Sequence, residues 1–152
     1  MAQLEALVQE LKRTGKEVFW QGKASPESIQ RLEGLLSTRL PNSFRHFLSE
    51  YGGGGLVGEE ISGIEDDDAT LDYRGTVLGD TLRCRSDFAL PSRLIVIYLG
   101  ADDVVWCLDT SVPPGTECPI VSYNVHSKTI KRLAETFDDF FAEYVRSRIA
   151  RA

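Results

Sequence analysis

Nothing in this 152-residue chain approaches the ~18–20 consecutive apolar residues that a membrane span requires. The opening residues, Met1-Ala2-Gln3-Leu4-Glu5, lack the basic-then-apolar layout of a secretory signal and read as the start of an amphipathic helix. A cytoplasmic globular protein is therefore expected. Cysteine is scarce and odd in number: Cys84, Cys107 and Cys118 form no CxxC pair, which argues against a disulfide framework. Cys107 and Cys118 have apolar or strand-like neighbours and read as small buried hydrophobes. Only two histidines occur, His46 and His126, and neither has a carboxylate or thiol at a recognisable catalytic spacing. No internal repeat, low-complexity tract or long linker breaks the chain, so a single domain over residues 1–152 is expected.

Two motif-like stretches fail on context. Gly53-x-Gly55-x-x-Gly58 matches the dinucleotide fingerprint in letters, but a phosphate cradle needs a strand before the glycines and a helix N-terminus after them. Here the pattern places a helix end before them and a strand after, so a helix stop and turn is expected. Asp66-Asp67-Asp68 lacks the alternating ligands, glycine turn and distal glutamate of a calcium loop. Neither a cofactor nor a metal is expected, and the serines at 25, 28 and 43 sit where helices begin, as caps or first-turn residues.

What the chain does have is enough apolar residue, 42%, to build a core, and an uneven charge. Residues 49–126 carry 14 acidic against 4 basic groups, a balance of −10, whereas the segments on either side are each +2, leaving −6 overall. Seven acids, Glu59, Glu60, Glu65, Asp66, Asp67, Asp68 and Asp72, fall within fourteen residues with no Lys or Arg among them. Asp102 and Asp103 add two more at a hairpin tip. Such a field disfavours nucleic-acid backbones and favours a basic protein surface; the plainer reading is a solvated face that aids solubility.

Periodicity sets the elements. Leu4, Leu7, Val8 and Leu11 mark a first helix closed by Gly15. Ser25 as cap and Pro26 in the first turn open a second, with Ile29, Leu32, Leu35 and Leu36 as its stripe to about Arg39. Leu40-Pro41-Asn42 breaks it and starts a third, carrying Phe44, Phe47, Leu48 and Tyr51, with Gly52 as its left-handed stop. A short strand is expected within residues 56–64 and a helix over 69–86 despite Gly75 and Gly79. Leu94 to Leu99 suits a central strand, Gly100 to Asp103 a hairpin loop, and Val104 to Leu108 its antiparallel return. Ile120 to Val125 reads as another strand. A long last helix carries Phe137, Phe140, Phe141, Tyr144, Val145, Arg148 and Ile149 on one face. The class is α+β: a largely antiparallel central sheet packed by an N-terminal helical hairpin and a long C-terminal helix.

Several segments in this order resemble a known family. They are Phe19-Trp20-Gln21-Gly22-Lys23-Ala24-Ser25, Leu40-Pro41-Asn42-Ser43-Phe44-x-x-Phe47-Leu48, Tyr51-Gly52-Gly53-Gly54, Val105-Trp106-Cys107-Leu108-Asp109-Thr110, Gly115-x-Glu117-Cys118-Pro119-Ile120-Val121 and Thr136-Phe137-x-x-Phe140-Phe141. Together they resemble the SUKH superfamily in its Smi/Knr-like branch, and within it the bacterial YobK-like immunity proteins. The resemblance implies an α+β fold, no catalysis, and in bacteria an antitoxin that binds and neutralises a polymorphic toxin, often a nuclease. It equally covers intracellular regulators and scaffolds with other partners. Glu33, Trp20 and Asp109 stay open between an internal hydrogen bond and a binding surface. The expected partner is a cognate, basic toxin domain, with no direct nucleic-acid or membrane contact. Its expected contacts are the nine acids above, with Trp20 and Tyr73 as candidate aromatic anchors; burial of Trp20 in the core is the competing reading. A small hydrolase or ligand-binding domain using Cys107 or His126 is the rival from another class.

Overall fold

The computed structural model describes residues 2–150, and the side chains of 3–150. The chain opens with α1 (Ala2–Arg13), whose Leu4, Leu7, Val8 and Leu11 are all buried, as their spacing demands. A short strand β1 (Val18–Trp20) follows, then α2 (Pro26–Leu36) and α3 (Asn42–Tyr51). Ser25 caps α2 by accepting from the Ser28 N–H at 3.2 Å. The helix stops earlier than Arg39 because Ser37 turns left-handed, and Leu35 faces solvent, 44% exposed, outside the apolar stripe.

Strand β2 (Gly54–Leu56) pairs antiparallel with β1, Val18 opposite Leu56 and Trp20 opposite Gly54. It therefore lies at the front of the expected 56–64 segment and runs into the glycines, where no apolar alternation could announce it. Beyond it, residues 61 and 63 make only isolated bridges, to Gly54 and Thr76. The helix expected over 69–86 is α4 (Val77–Phe88); Thr76 caps it, accepting from Gly79 N at 2.9 Å, and residues 69–76 form a loop held by that cap and by Gly75 at φ +96°.

The main sheet has the order β3 (Leu94–Leu99), β4 (Val104–Asp109), β5 (Ile120–Asn124), β6 (Ile130–Ala134), all antiparallel. Ile95, Ile97, Leu108 and Ile120 pack with the helices α1 to α3 and with α5 (Phe137–Ala150). On the other face Val96, Val105, Cys107, Val121, Tyr123 and Val125 pack with Cys84 and Phe88 of α4. Cover on both faces explains why β3 reads as an unbroken apolar run. Strand β6, which periodicity does not reveal, is an edge strand whose Lys131, Arg132 and Leu133 are exposed. Phe44, Phe47, Phe137 and Phe141 stack at the centre, with ring centroids 5.0–6.1 Å apart.

Candidate functional site

Four segments meet at a cleft of about 390 Å³: the end of β1 with Phe19 and Gln21, the loop Gly58–Glu65 after β2, the residues Arg74–Asp80 around the start of α4, and the tip of β3 at Tyr98–Ala101. The walls are fixed by backbone. A register shift between Val96 and Tyr98 interrupts the β3–β4 ladder, and the Ile97 carbonyl accepts from Ser62 N at 2.8 Å. Gly75 is held three ways: its N–H donates to the Asp80 carboxylate at 3.2 and 3.3 Å, and its carbonyl accepts from Gln21 Nε2 at 2.9 Å and Gly63 N at 3.1 Å. Only a residue free to adopt positive φ fits there.

Asp80 is the buried acid of the cleft, 1% exposed. Its Oδ2 accepts from Ser62 Oγ at 2.6 Å, and it sits in the first turn of α4, where the helix dipole favours negative charge. Burial nevertheless raises its pKa above the usual carboxylate value, against the opposing pull of the Ser62 and Gly75 hydrogen bonds and of Arg74. Glu60 and Glu65 line the same cleft, Glu60 accepting from Gly58 N at 3.0 Å. Arg74, exposed, reaches the Leu99 carbonyl at 3.4 Å. Phe19 is 49% exposed beside these carboxylates. Gln21 Oε1 is buried in the wall with no hydrogen-bond partner.

The structure divides the acidic row. Glu60 and Glu65 converge on this cleft, and Asp102 and Asp103 follow its lip residue Ala101 and line a second, shallower cleft with Trp106 and His126. Glu59 turns the other way and pairs with Arg148 of α5 at 3.0 Å. Asp67 accepts from Ser25 N at 2.8 Å while its carbonyl takes the Ser28 hydroxyl at 2.7 Å, so it fastens the start of α2. The Ser25 N–H, with the Ser28 side chain beside it, holds its carboxyl below the usual range. Asp68 forms a local turn with Thr70, and Asp66, Asp72 and Tyr73 are exposed, Tyr73 by 58%. Trp20 is half-buried and packs on Tyr51 at 4.8 Å, its indole nitrogen buried without a partner.

Glu33 and Asp109, open between two roles in the sequence, have internal partners: Glu33 accepts from Leu40 N at 2.7 Å, and Asp109 takes the Ser111 N–H and hydroxyl. Phe19, Gln21, Ser62, Arg74, Asp80 and Tyr98 are cleft residues that sequence reasoning did not assign to a site. Asp80 carried a signal, an acid four residues after a threonine cap; Tyr98 did not, being one member of an apolar run.

All three thiols are buried and unpaired. Burial pushes Cys84 and Cys118 up to about 11, and Cys107 higher still. His46 faces Glu5 at 3.6 Å, and His126 is exposed at the end of β5. Among the described residues no group of three or more His, Cys, Asp or Glu is arranged to hold a metal ion, and no helix is long and apolar enough to cross a membrane.

The order of elements, the glycine-rich β2 clamped under α5 and the Glu117–Ser43 link between the strand approach and α3 extend over nearly the whole chain. The same extent is covered by a family model described as SMI1-KNR4 cell-wall (SUKH_5), which matches residues 4–146, and the chain belongs to that family.

Proposed function

We propose that this chain is a binding protein with no chemistry of its own, an immunity protein that neutralises a basic protein toxin by covering it. The observation that carries this reading is the placing of open carboxylates on two clefts, Glu60 and Glu65 on the one that exposed Phe19 lines and Asp102 and Asp103 on the second, joined through the β3–β4 turn at Ala101. A toxin acting on nucleic acid needs a basic cleft for phosphates, and an acidic lip beside an aromatic ring complements such a surface in charge and offers it an anchor. Deeply buried, hard-to-ionise thiols support a role without nucleophilic catalysis. The resemblance to YobK-like proteins supports the toxin as partner. The test is co-expression with the product of the adjacent gene, expected to carry a basic toxin domain: growth is restored, and the two proteins co-elute at low salt and separate as salt rises. Failure to rescue, with no co-elution at low salt, overturns the reading.

A second reading follows from the description of the matched family, SMI1-KNR4 cell-wall: an intracellular scaffold with a non-toxin partner. It predicts an altered cell envelope on deletion in cells that carry no toxin.

A further inference from the structure

The cleft is rich in acceptors and poor in donors. Glu60, Glu65 and Asp80 bring three carboxylates to it, that of Asp80 buried and already bonded to Ser62 and Gly75. Against these stands one cation of the lining, Arg74, whose exposed guanidinium is aimed at the Leu99 carbonyl. The Ser62 hydroxyl and the Gly75 N–H are already given to Asp80. An occupant must therefore supply several N–H groups and positive charge. Its shape is constrained too: about 390 Å³ lies at the small end of the roughly 300–1,000 Å³ range of ligand pockets, room enough for a side chain, and it has aromatic rings, Phe19 and Tyr98, in its walls. A planar cation that stacks on rings while its edge donates to carboxylates is a guanidinium; an ammonium is a compact point charge that gains less from a flat wall.

We propose that this cleft is the receptor for a single arginine side chain presented by the protein partner, its guanidinium edge directed at Glu60 and Glu65 above the buried Asp80 and its face against Phe19. The proposal rests on the binding reading above and deepens it by naming the group recognised. Free arginine suits the cleft less well than arginine within a chain, because its own carboxylate would meet the three acids. Arg74 at the rim is bonded to the Leu99 carbonyl, not to these acids, but its positive charge beside them opposes the entry of a second cation.

The experiment is a titration of the full ¹⁵N-labelled chain, followed by amide chemical shifts, with the capped peptide acetyl-Gly-Arg-Gly-amide. The same peptide with citrulline or lysine in place of arginine, and free L-arginine, form the other arms. Saturable shifts are expected at Gly58, Ser62, Gly75, Asp80 and Gly100. Citrulline, which keeps the shape and loses the charge, is expected to bind at least about tenfold more weakly, equivalent to about 1.4 kcal/mol. Lysine and free arginine should fall between the two. The exposed change Arg74→Gln should tighten the arginine peptide, a gain that damage to the fold cannot imitate, and Glu60→Gln with Glu65→Gln should abolish the shifts while leaving the rest of the spectrum unchanged. The proposal is overturned by equal response to citrulline, by shifts confined to other acids such as Asp66 and Asp72, by binding of free arginine alone, or by no saturable shift. A wild-type chain that captures the toxin domain yet ignores the arginine peptide removes this slot and leaves the immunity reading standing. Arginine binding without toxin rescue removes the immunity reading and leaves the slot.

Discussion

Arg148 and Asp80 are the two charged side chains that the fold takes almost wholly out of water among the described residues. Arg148 lies over the Tyr144 ring at 3.7 Å, donates to the Tyr144 carbonyl and to Ser147, and pairs with Glu59 at 3.0 Å. The two partners are unequally buried, the arginine side chain 7% exposed and the glutamate 33%. Removing the charge on Glu59 strands a cation that water cannot reach, whereas removing Arg148 leaves a carboxylate that can rehydrate. Glu59→Gln should therefore cost about 2–3 kcal/mol, and Arg148→Met, which refills the volume of the stem, only about 1 kcal/mol. Urea unfolding of both variants checks this, and the opposite order would refute it. Asp80 gives a pH signature. Its folded pKa is raised, so the folded state holds the proton more tightly than the unfolded state, whose value is near the ordinary 3.8. Its contribution to stability is therefore greatest below 3.8 and declines as pH rises through the folded value, above which the cost is constant. Asp67 runs the other way: its lowered pKa gives stability present above 3.8 and lost as pH falls. The stability of Asp80→Asn relative to wild type should accordingly improve as pH is raised from 4 to 7, whatever fixed offset the amide brings. A difference that stays flat across that range in urea titrations would count against the buried carboxylate.

At the scale of elements, two joints carry more than their length. Helix α3 begins at Pro41, which offers no side-chain cap, and Glu117 supplies one from 74 residues away by accepting from Ser43 N at 3.1 Å and from the Ser43 hydroxyl. Glu117→Ala should lower stability by about 1–2 kcal/mol, the usual loss of an N-cap, read as a lower urea midpoint with unchanged slope. Strand β2 lies under α5: Gly55, at φ +141°, faces the Tyr144 hydroxyl, which itself accepts from Leu56 N at 3.1 Å and donates to the Glu59 carbonyl at 2.8 Å. A Cβ at Gly55 would run into that oxygen, so Gly55→Ala should cost about 2–4 kcal/mol, positive-φ strain adding to the clash, while Tyr144→Phe relieves part of it in the double variant. These joints explain what the sequence could and could not say. α1, α3 and α5 were legible because each has a strong helical period, and β3 because a short, β-branched, unbroken apolar run bounded by turn residues suits a buried strand. The β1–β2 pair was not, since β2 owes its place to close packing of glycines and not to any alternation. β6 was hidden because an edge strand needs no apolar face, and the start of α4 was blurred by Gly75, whose part is played in the cleft. Of the cleft, the sequence exposed the charge of Glu60 and Glu65, but a cavity assembled from four separated segments has no local signature, and Phe19, Ser62 and Asp80 join it only through tertiary hydrogen bonds and packing.

For the whole molecule, the question is which acids act outward. Glu59 and Asp67 are occupied inside the protein, and Asp66, Asp67, Asp102 and Asp103 all hold left-handed backbone, a conformation aspartate tolerates better than most residues. Part of the acidic bias is thus structural, and the field that remains for a partner comes from Glu60, Glu65 and the outward carboxylates of Asp66, Asp72, Asp102 and Asp103. That division makes a kinetic experiment discriminating. Glu60→Lys with Glu65→Lys reverses charge where φ is ordinary, and should slow association with the proposed basic partner at least about tenfold at low salt and flatten its salt dependence. Asp102→Asn with Asp103→Asn keeps the left-handed turn while removing charge at the lip, and should slow association by a smaller factor. Asp67→Asn, at an acid engaged with α2, should leave the association rate nearly unchanged and lower stability instead. If the slowing simply followed the charge removed, four units in the first variant, two in the second and one in the third, net charge and not a located face would govern encounter, and the cleft would lose its claim to be the docking centre. If the first two slowed it and the third did not, the rate would report position as well as sign, because a steering field acts through the carboxylates within a Debye length of about 10 Å of the contact.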